Sequence, residues 1–567
     1  RAADAFYASA TGGAFNSSVF VYLRRSNLVL LRDGDLPGLC LAVCLGFLLV
    51  AVGLWQDARV SVGAPLRARV PHAGARRLSI GAALLLPMLV GWNAGVASAR
   101  FVPEALFLHE WLRWRGLVAQ DEPSTLQLSA AMKKRFVSLG LLPEKALRPD
   151  YPLLRARVEA RAFPYALRSD AAPQPNVVLT LVEQLNLDFV HALSGEFEAV
   201  MPELSALAAR TTVVTDYRSI TQPTIQAVVA SLCSIHMATP TKQLHTGHGS
   251  EPLENTALRC LPDILRAHGY RTVYIQSGDS LFAGTHGFLR AHGFDEIYDQ
   301  TEVHARYPGA VRGRWGYHDD VLLDFTQQKI LELERARAAG GPPFFLMVQT
   351  IDTHYPGHAP DGCKAPSALA EITRDGQSRR MLKSLYCSDR ELGRFARFLL
   401  DDPQRSASTL WAMSGDHPIW AGARFVQESY ERRGERYAGF AARLPLFLHD
   451  PLHDLPARVP VLSGHLDLAP TLLHILGLVD EPTAMTGYSI FGTRSAFPML
   501  FASMPGDRVA VHRPGRIESI AARELPERCA ARESPIAGDA KALNACELLV
   551  WSQFEEVLWR LKRIVPQ

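Results

Sequence analysis

Five short apolar runs constrain this chain more than anything else in it. They are NVVLTLV (Asn176–Val182), RTVYIQ (Arg271–Gln276), FFLMVQT (Phe344–Thr350), TLWAMSGD (Thr409–Asp416) and LPLFLHD (Leu444–Asp450). They are apolar at successive positions and end in polar residues, as buried strands of a parallel sheet do. Helical patterns separate them, among them CLPDILRAHG, VLLDFTQQKILELERARA and SDRELGRFARFLL. Strand–helix alternation predicts an α/β fold with a mainly parallel central sheet and helices on both faces. In such sheets, sites form beyond the carboxyl ends of the strands. Glu183 follows the first run, Asp352 and His354 follow the third, and Asp416 and His417 close the fourth. Core packing does not explain acids and imidazoles at three strand ends.

The segment SITQPTIQAVVASLCSIH (Ser219–His236) adds a hydroxyl. Ile225, Val228, Val229 and Leu232 form one helical stripe, and Pro223 suits its first turn. Thr224 therefore lies where open backbone N–H groups and the positive end of the helix dipole gather. Two readings stand side by side there: a helix cap, or a nucleophile held where negative charge is stabilised. Glu183, Asp416 and His417 offer two carboxylates and an imidazole, a donor set suited to Zn²⁺ or Mn²⁺. With Thr224 as a fourth ligand, such a cation makes its hydroxyl a nucleophile near neutral pH.

The first hundred residues have a different character. Leu36–Trp55 and Leu78–Ala99 carry no charge, and each is long enough to span a bilayer as a helix. The loop between them holds five arginines and one aspartate, which places it in the cytoplasm and everything after Ala99 outside. The chain begins at Arg1, so further membrane helices upstream are compatible with it. Phe101–Gly116, rich in Trp, Phe and Leu, suits either the outer membrane interface or a packed connector. This organisation predicts a membrane region over 1–100, an interfacial helix and linker over 101–174, a catalytic domain over 175–497 and a C-terminal extension over 498–567. A net charge of +3 gives no argument for nucleic acid. Of eight cysteines, Cys40 and Cys44 lie in the first span. In an oxidising compartment, sequence order pairs the other six as Cys233–Cys260, Cys363–Cys387 and Cys529–Cys546.

The segments TLVEQ, PTIQAVVASLCS, LFAGTHGFLRAHGFDEIYD, RWGYHDD, IDTHYPGH, CSDRELGRF, SGDH and HLDLAPTLLHILG occur in an order that resembles the alkaline-phosphatase/sulfatase superfamily. Within it they look most like membrane-anchored phosphoglycerol transferases: lipoteichoic acid synthases and, closer still, the enzymes that decorate periplasmic glucans. The resemblance implies an alkaline-phosphatase-like sandwich preceded by transmembrane helices. It implies one divalent metal held by Glu183, Thr224, Asp416 and His417, with Thr224 as nucleophile. A phosphoglycerol group then passes from phosphatidylglycerol, through a phospho-threonine, to a glycan or polymer hydroxyl outside the bacterial inner membrane. His354 matches a position that contacts the phosphoryl group and can protonate the leaving oxygen. Trp315 and His286 are the expected headgroup contacts. In one departure, Thr285 and His286 stand where relatives carry a lysine or arginine, leaving His286, Arg290 or Arg314 to compensate. A phosphoethanolamine transferase or a phosphodiesterase of the same superfamily fits the same residues. A formylglycine sulfatase does not, because Ser-Ile-His follows Cys233 where C-x-P-x-R is needed.

Overall fold

The structure, a computed structural model, describes residues 128–158, 162–168, 174–220, 224–235, 258–419, 424–435 and 442–492. It also describes the backbone of three strands between 501 and 521 and five residues between 547 and 558. All of them belong to the second of two contact-defined units, Glu122–Gln567. Both uncharged runs, the segment 101–116 and the Cys529–Cys546 pairing lie outside the described residues. Among the described residues no helix is long and apolar enough to cross a membrane.

All five apolar runs are strands: β1 (Asn176–Val182), β3 (Arg271–Gln276), β5 (Phe344–Gln349), β6 (Thr409–Gly415) and β7 (Arg443–His449). They join β2 (Thr212–Arg218), β4 (Glu296–Tyr298), β8 (Arg458–Val459) and β9 (Ser463–Gly464) in a sheet of order β4-β3-β5-β1-β6-β7-β2-β8, with β9 on β2. β1 sits at the centre, parallel to β5 and β6. β3 continues the parallel run to β5 and β4. β7 is antiparallel to both its neighbours, β6 and β2. A separate antiparallel ribbon, β10 to β12 (Phe501–Met504, Arg508–Arg513, Arg516–Ala521), follows.

Alternate residues of each central strand feed two different cores. Val177, Leu179 and Leu181 of β1 pack with α2 (Thr224–Cys233) and α5 (Leu468–Ile475) on one face. Val178 and Val182 pack with α3 (Asp319–Ala338) and α4 (Gly376–Leu400) on the other. Burial on both faces is why these strands are apolar throughout rather than at every second residue. α2 is buried at every position from Ile225 to Cys233, well beyond the single stripe its spacing suggests. Helix α1 (Ala130–Ser138) sends Phe136 edge-on against Trp551, 5.1 Å between ring centroids, and Arg135 pairs with Glu547 at 2.9 Å.

Two disulfides tie these layers. Cys233–Cys260 joins the end of α2 to the start of the helix Leu261–Ala267. Cys363–Cys387 joins the loop after β5 to α4.

Candidate active site

Register along the sheet brings the strand ends to one place. Val182 of β1 pairs with Gly415 of β6, and Leu181 pairs with Gln349 of β5. The next backbone bonds continue the ladder: Thr350 N–H to Leu181 O at 3.1 Å and Asp416 N–H to Val182 O at 3.0 Å. Glu183, Thr350 and Asp416 therefore leave the sheet side by side. Glu183 N–H donates to Thr350 Oγ1 at 3.1 Å, and the chain then turns sharply, with Gln184 at φ 50°. That left-handed conformation is unfavourable for a residue with a side chain. Gln184 N–H is engaged by Asp416 Oδ1 at 2.9 Å, which holds the turn.

Glu183, Asp416 and His417 present one ligand atom each, all within 4.8 Å of one another and all buried. His417 Nδ1 lies 3.1 Å from Pro418 O. A carbonyl only accepts, so Nδ1 carries the proton and Nε2 turns its lone pair into the site. That lone pair faces Glu183 Oε1 at 3.4 Å and Asp416 Oδ2 at 3.7 Å. Glu183 Oε1 is sealed from solvent and, among the described residues, accepts no hydrogen bond. Burial, and then the charge of Asp416, pushes the Glu183 carboxyl well above the usual carboxylate range. Buried acceptors facing one another without a donor are unfavourable unless a cation lies between them, so the residues fit a divalent metal. The other potential ligand group among the described residues is Cys260, Asp263 and His292, and its sulfur is committed to the Cys233 disulfide.

Thr224 opens α2 on the rim of this cluster. Its hydroxyl donates to Glu183 Oε2 at 3.1 Å and lies 3.5 Å from His417 Nε2. It makes no described bond to its own helix. The side chain is thus turned toward the acidic cluster, not back onto α2 as a cap would be.

His354 follows β5 in a turn with Tyr355–Pro356 in the cis form. Its Nδ1 lies 3.1 Å from Tyr355 O, and burial holds its imidazole down at about 3, neutral at ordinary pH. Its ring packs on Trp315 with centroids 4.3 Å apart, and Phe282 meets the same indole at 6.0 Å. His286 is placed differently: its Nδ1 lies 3.1 Å from Ser280 Oγ, and its described contacts do not reach Glu183, Thr224, Asp416 or His417. Glu183, Thr224, Asp416 and His417 thus come together, His354 and Trp315 adjoin each other, and His286 is turned aside.

Other residues support the site, and of these position in the sequence singled out Asp352 alone. His318 Nδ1 bonds Asp352 Oδ1 at 2.7 Å, and Asp319 N–H bonds Asp352 Oδ2 at 3.0 Å. In return, Asp319 Oδ1 accepts from Ile351 N–H at 2.9 Å. This clip locks the RWGYHDD loop to the IDTHYPGH loop. Burial, then the Asp352 charge, pushes Asp319 up to about 7. Buried His465, pushed down to about 4 by burial, lies with Nε2 3.2 Å from Gly415 O and braces the turn into Asp416. The signal for the clip was present in sequence as polar residues clustered in two apolar-flanked motifs, but their pairing was not.

The sulfatase family's sequence profile matches residues 175–478, more than half of the chain. The chain belongs to the sulfatase family. The chain is similar to phosphoglycerol transferase I of Xanthomonas campestris pv. campestris (strain ATCC 33913), 34% identical over 228 residues that cover 39% of this chain and 31% of that protein. It is also similar to phosphoglycerol transferase I of Escherichia coli O139:H28, 28% identical over 259 residues, 45% of this chain and 32% of that protein. The matches thus span about a third of those relatives' length. Among solved structures, a Vibrio parahaemolyticus protein of the alkaline phosphatase superfamily superposes with TM-score 0.56 at 16% identity, covering 78% of this chain and 98% of that one. The lipoteichoic acid synthase LtaP from Listeria monocytogenes superposes with TM-score 0.53 at 18% identity, covering 70% and 96%. These similarities show the alkaline-phosphatase-like fold.

Proposed function

We propose that this sulfatase-family chain is a metal-dependent transferase that moves a phosphoglycerol group from phosphatidylglycerol to a glycan or polymer hydroxyl. One observation carries the reading: the Thr224 hydroxyl points at Glu183 and His417. The name shared by its matched relatives, phosphoglycerol transferase I, supports the glycerol headgroup over ethanolamine. Disulfides at Cys233–Cys260 and Cys363–Cys387 suit a catalytic domain on the periplasmic side of a bacterial inner membrane. The same reading assigns residues 1–100 to the membrane region, 101–174 to an interfacial linker, 175–497 to catalysis and 498–567 to an extension.

Glu183, Asp416, His417 and Thr224 would hold one Mn²⁺ or Zn²⁺. Bound there, the cation offsets the carboxylate charge and lowers the pKa of the threonine hydroxyl. Thr224 Oγ1 directs its proton at Glu183 Oε2, so the proton has an acceptor as the oxygen attacks phosphorus. The bond from phosphorus to the diacylglycerol oxygen breaks, leaving the phosphoglycerol group on Thr224. His354 holds Nδ1–H on Tyr355 O, so Nε2 is the exchanging nitrogen. Neutral in the free protein, Nε2 would take up a proton beside the negative charge of the bound phosphodiester and give it to the leaving oxygen. It then takes one from the acceptor hydroxyl as that oxygen bonds phosphorus and the bond from phosphorus to Thr224 Oγ1 breaks, the proton held at Glu183 returning to Oγ1. Trp315, packed at a tilt of 41° against His354, would wall the headgroup side.

Incubating the full chain with fluorescent phosphatidylglycerol or phosphatidylethanolamine tests the reading. Labelled diacylglycerol is expected from the first lipid, together with a phosphoglycerol adduct on the peptide containing Thr224 when acceptor is withheld. Release from phosphatidylethanolamine instead identifies a phosphoethanolamine transferase, and turnover without any acceptor but water identifies a phosphodiesterase. Thr224→Ala is expected to lose lipid cleavage while keeping wild-type melting within about 2 kcal/mol. Full activity in that variant overturns the assignment.

A further inference from the structure

The orientation of a metal-ligating imidazole is set by what its other ring nitrogen bonds. For His417 that partner is Pro418 O, 3.1 Å from Nδ1. Pro418 O shares one planar peptide unit with Ile419 N–H, so a hold on the N–H is also a hold on the carbonyl. Asn186 supplies that hold: its Oδ1 accepts from Ile419 N–H at 2.7 Å, across 233 residues of chain. Its Nδ2 donates to Asp188 Oδ2 at 3.4 Å. Asp188 is held in turn by Tyr430 Oη, 3.0 Å from Oδ1 and 3.1 Å from Oδ2, on the helix Arg424–Arg432. Hydrogen bonds thus run unbroken from Asp188, through the Asn186 amide and the Pro418–Ile419 peptide, to the His417 ring.

The surroundings leave this chain of bonds little freedom. Asn186 is fully buried, and only one orientation of its amide fits. The reverse sets Nδ2 against the Ile419 donor and Oδ1 against a carboxylate oxygen. Asn186 lies three residues after Glu183, so it ties the loop of one carboxylate ligand to the loop of Asp416 and His417. The two loops also touch directly. Gln184 N–H bonds Asp416 Oδ1 at 2.9 Å, and a Cβ at Gly415 would come within 2.5 Å of Leu185 O, so glycine is needed there. Packing alone would be served by a leucine of similar volume. A buried amide carries a desolvation cost that its two bonds must offset, so the choice of asparagine points to what those bonds hold.

We propose that Asn186 is a positioning residue for the metal site. Through the Pro418–Ile419 peptide it keeps the His417 imidazole in the Nδ1–H form, with Nε2 aimed at the space between Glu183 and Asp416. Without the Asn186 acceptor the peptide unit can rotate, and the ring can turn Nε2 away from the two carboxylates. The imidazole must then be reordered before it ligates a cation, which shows as weaker affinity. The inference rests on the metal-binding part of the proposed function and is independent of headgroup and acceptor.

Calorimetric titration of the chelator-stripped full chain with Mn²⁺ and with Zn²⁺, set beside urea melts in chelator, tests it. Asn186→Leu is expected to weaken cation binding by about tenfold or more. Asn186→Ala is the second variant should leucine disturb folding, with the same expected loss. Tyr430→Phe loosens Asp188 but leaves the bond from Ile419 N–H to Asn186, so it should lower stability and keep metal affinity within about twofold. A merely structural asparagine would shift the melts of its variants and leave the metal affinity of the folded protein unchanged. That result overturns the positioning role, as does a Tyr430→Phe protein that loses as much affinity as Asn186→Leu. Wild type that binds neither cation removes the metal site, and the metal-dependent reading falls with the inference. If Asn186→Leu loses affinity while wild type binds metal but releases no diacylglycerol from any lipid, the transferase reading fails and the positioning role stands. If wild type transfers and Asn186→Leu keeps wild-type affinity, the positioning role fails and the transferase reading stands.

Discussion

Replacing Glu183 by glutamine should make the metal-free protein more stable and, at the same time, insensitive to metal. Glu183 and Asp416 offer oxygens within 4.8 Å of each other in a buried setting. With both ionised and an effective dielectric constant of about 20, their repulsion is about 3.5 kcal/mol. Burial and the charge of Asp416 raise the Glu183 carboxyl above its ordinary range, which favours its protonated form. At pH 7, protonating a group whose ordinary value is 4.5 costs about 3.4 kcal/mol, which sets a similar ceiling. The sign follows: the folded state holds the extra proton, so the metal-free protein loses stability as pH rises above the ordinary 4.5. Glutamine removes the charge and keeps the shape. Its oxygen can accept from Thr224, and its N–H₂ can donate to the His417 Nε2 lone pair that now lies 3.4 Å from Glu183 Oε1. We expect urea melts in a chelator at pH 7 to show Glu183→Gln more stable than wild type by about 1–3 kcal/mol. Adding Mn²⁺ or Zn²⁺ at a hundredfold excess over its Kd should stabilise wild type by about 2.7 kcal/mol and the variant by far less. A variant less stable than wild type in chelator, or a wild type whose melting ignores both chelator and metal, refutes the cation site.

Two further outcomes concern the scaffold. Replacing Cys233 and Cys260 together with alanine opens a loop of sequence separation 27, and the loop-entropy estimate puts the loss at about 3.5 kcal/mol. Oxidised and reduced wild type melting at the same denaturant concentration would contradict it. Asp389 of α4 accepts from Glu203 N–H at 2.8 Å and Leu204 N–H at 2.9 Å, and burial pushes its carboxyl up to about 7. Between its ordinary 3.8 and that value the folded state holds a proton the unfolded chain releases, so its contribution to stability falls as pH rises. Asp389→Asn should flatten the stability–pH curve in that window by up to about 1.4 kcal/mol per pH unit, read from urea melts at pH 4.5 and 7.

The strand runs were legible because burial on both faces writes itself into consecutive residues. Asn176–Val182 has no polar alternation to confuse it with a surface strand. By contrast, β2 (TVVTDYR) and the three-residue β4 did not stand out, since each is only partly apolar and short apolar stretches are common in helices too. Direction was also invisible. LPLFLHD reads like its neighbours, yet β7 runs antiparallel, so its closing acid leaves from the opposite end of the sheet. There Asp450 serves its own turn, accepting from Leu452 N–H at 2.7 Å and bonding His453 Nδ1 at 2.8 Å. Glu183, Asp416, His417 and His354 could be named because each directly follows a strand, and local order alone carries that information. The lack of any described hydrogen bond or ion pair at Arg314 and the sideways turn of His286 could not, because whether a cation is paired depends on residues far away in the chain. By itself the sequence determined which segments become strands and which chemical groups stand at their ends, because both are written in neighbouring residues. Only the tertiary structure decided strand direction, the convergence of Thr224 on Glu183 across 41 residues and on His417 across 193, and which buried polar groups lack partners among the described residues. Those depend on the register of distant strands, and register is a property of the packed sheet rather than of any one stretch within it.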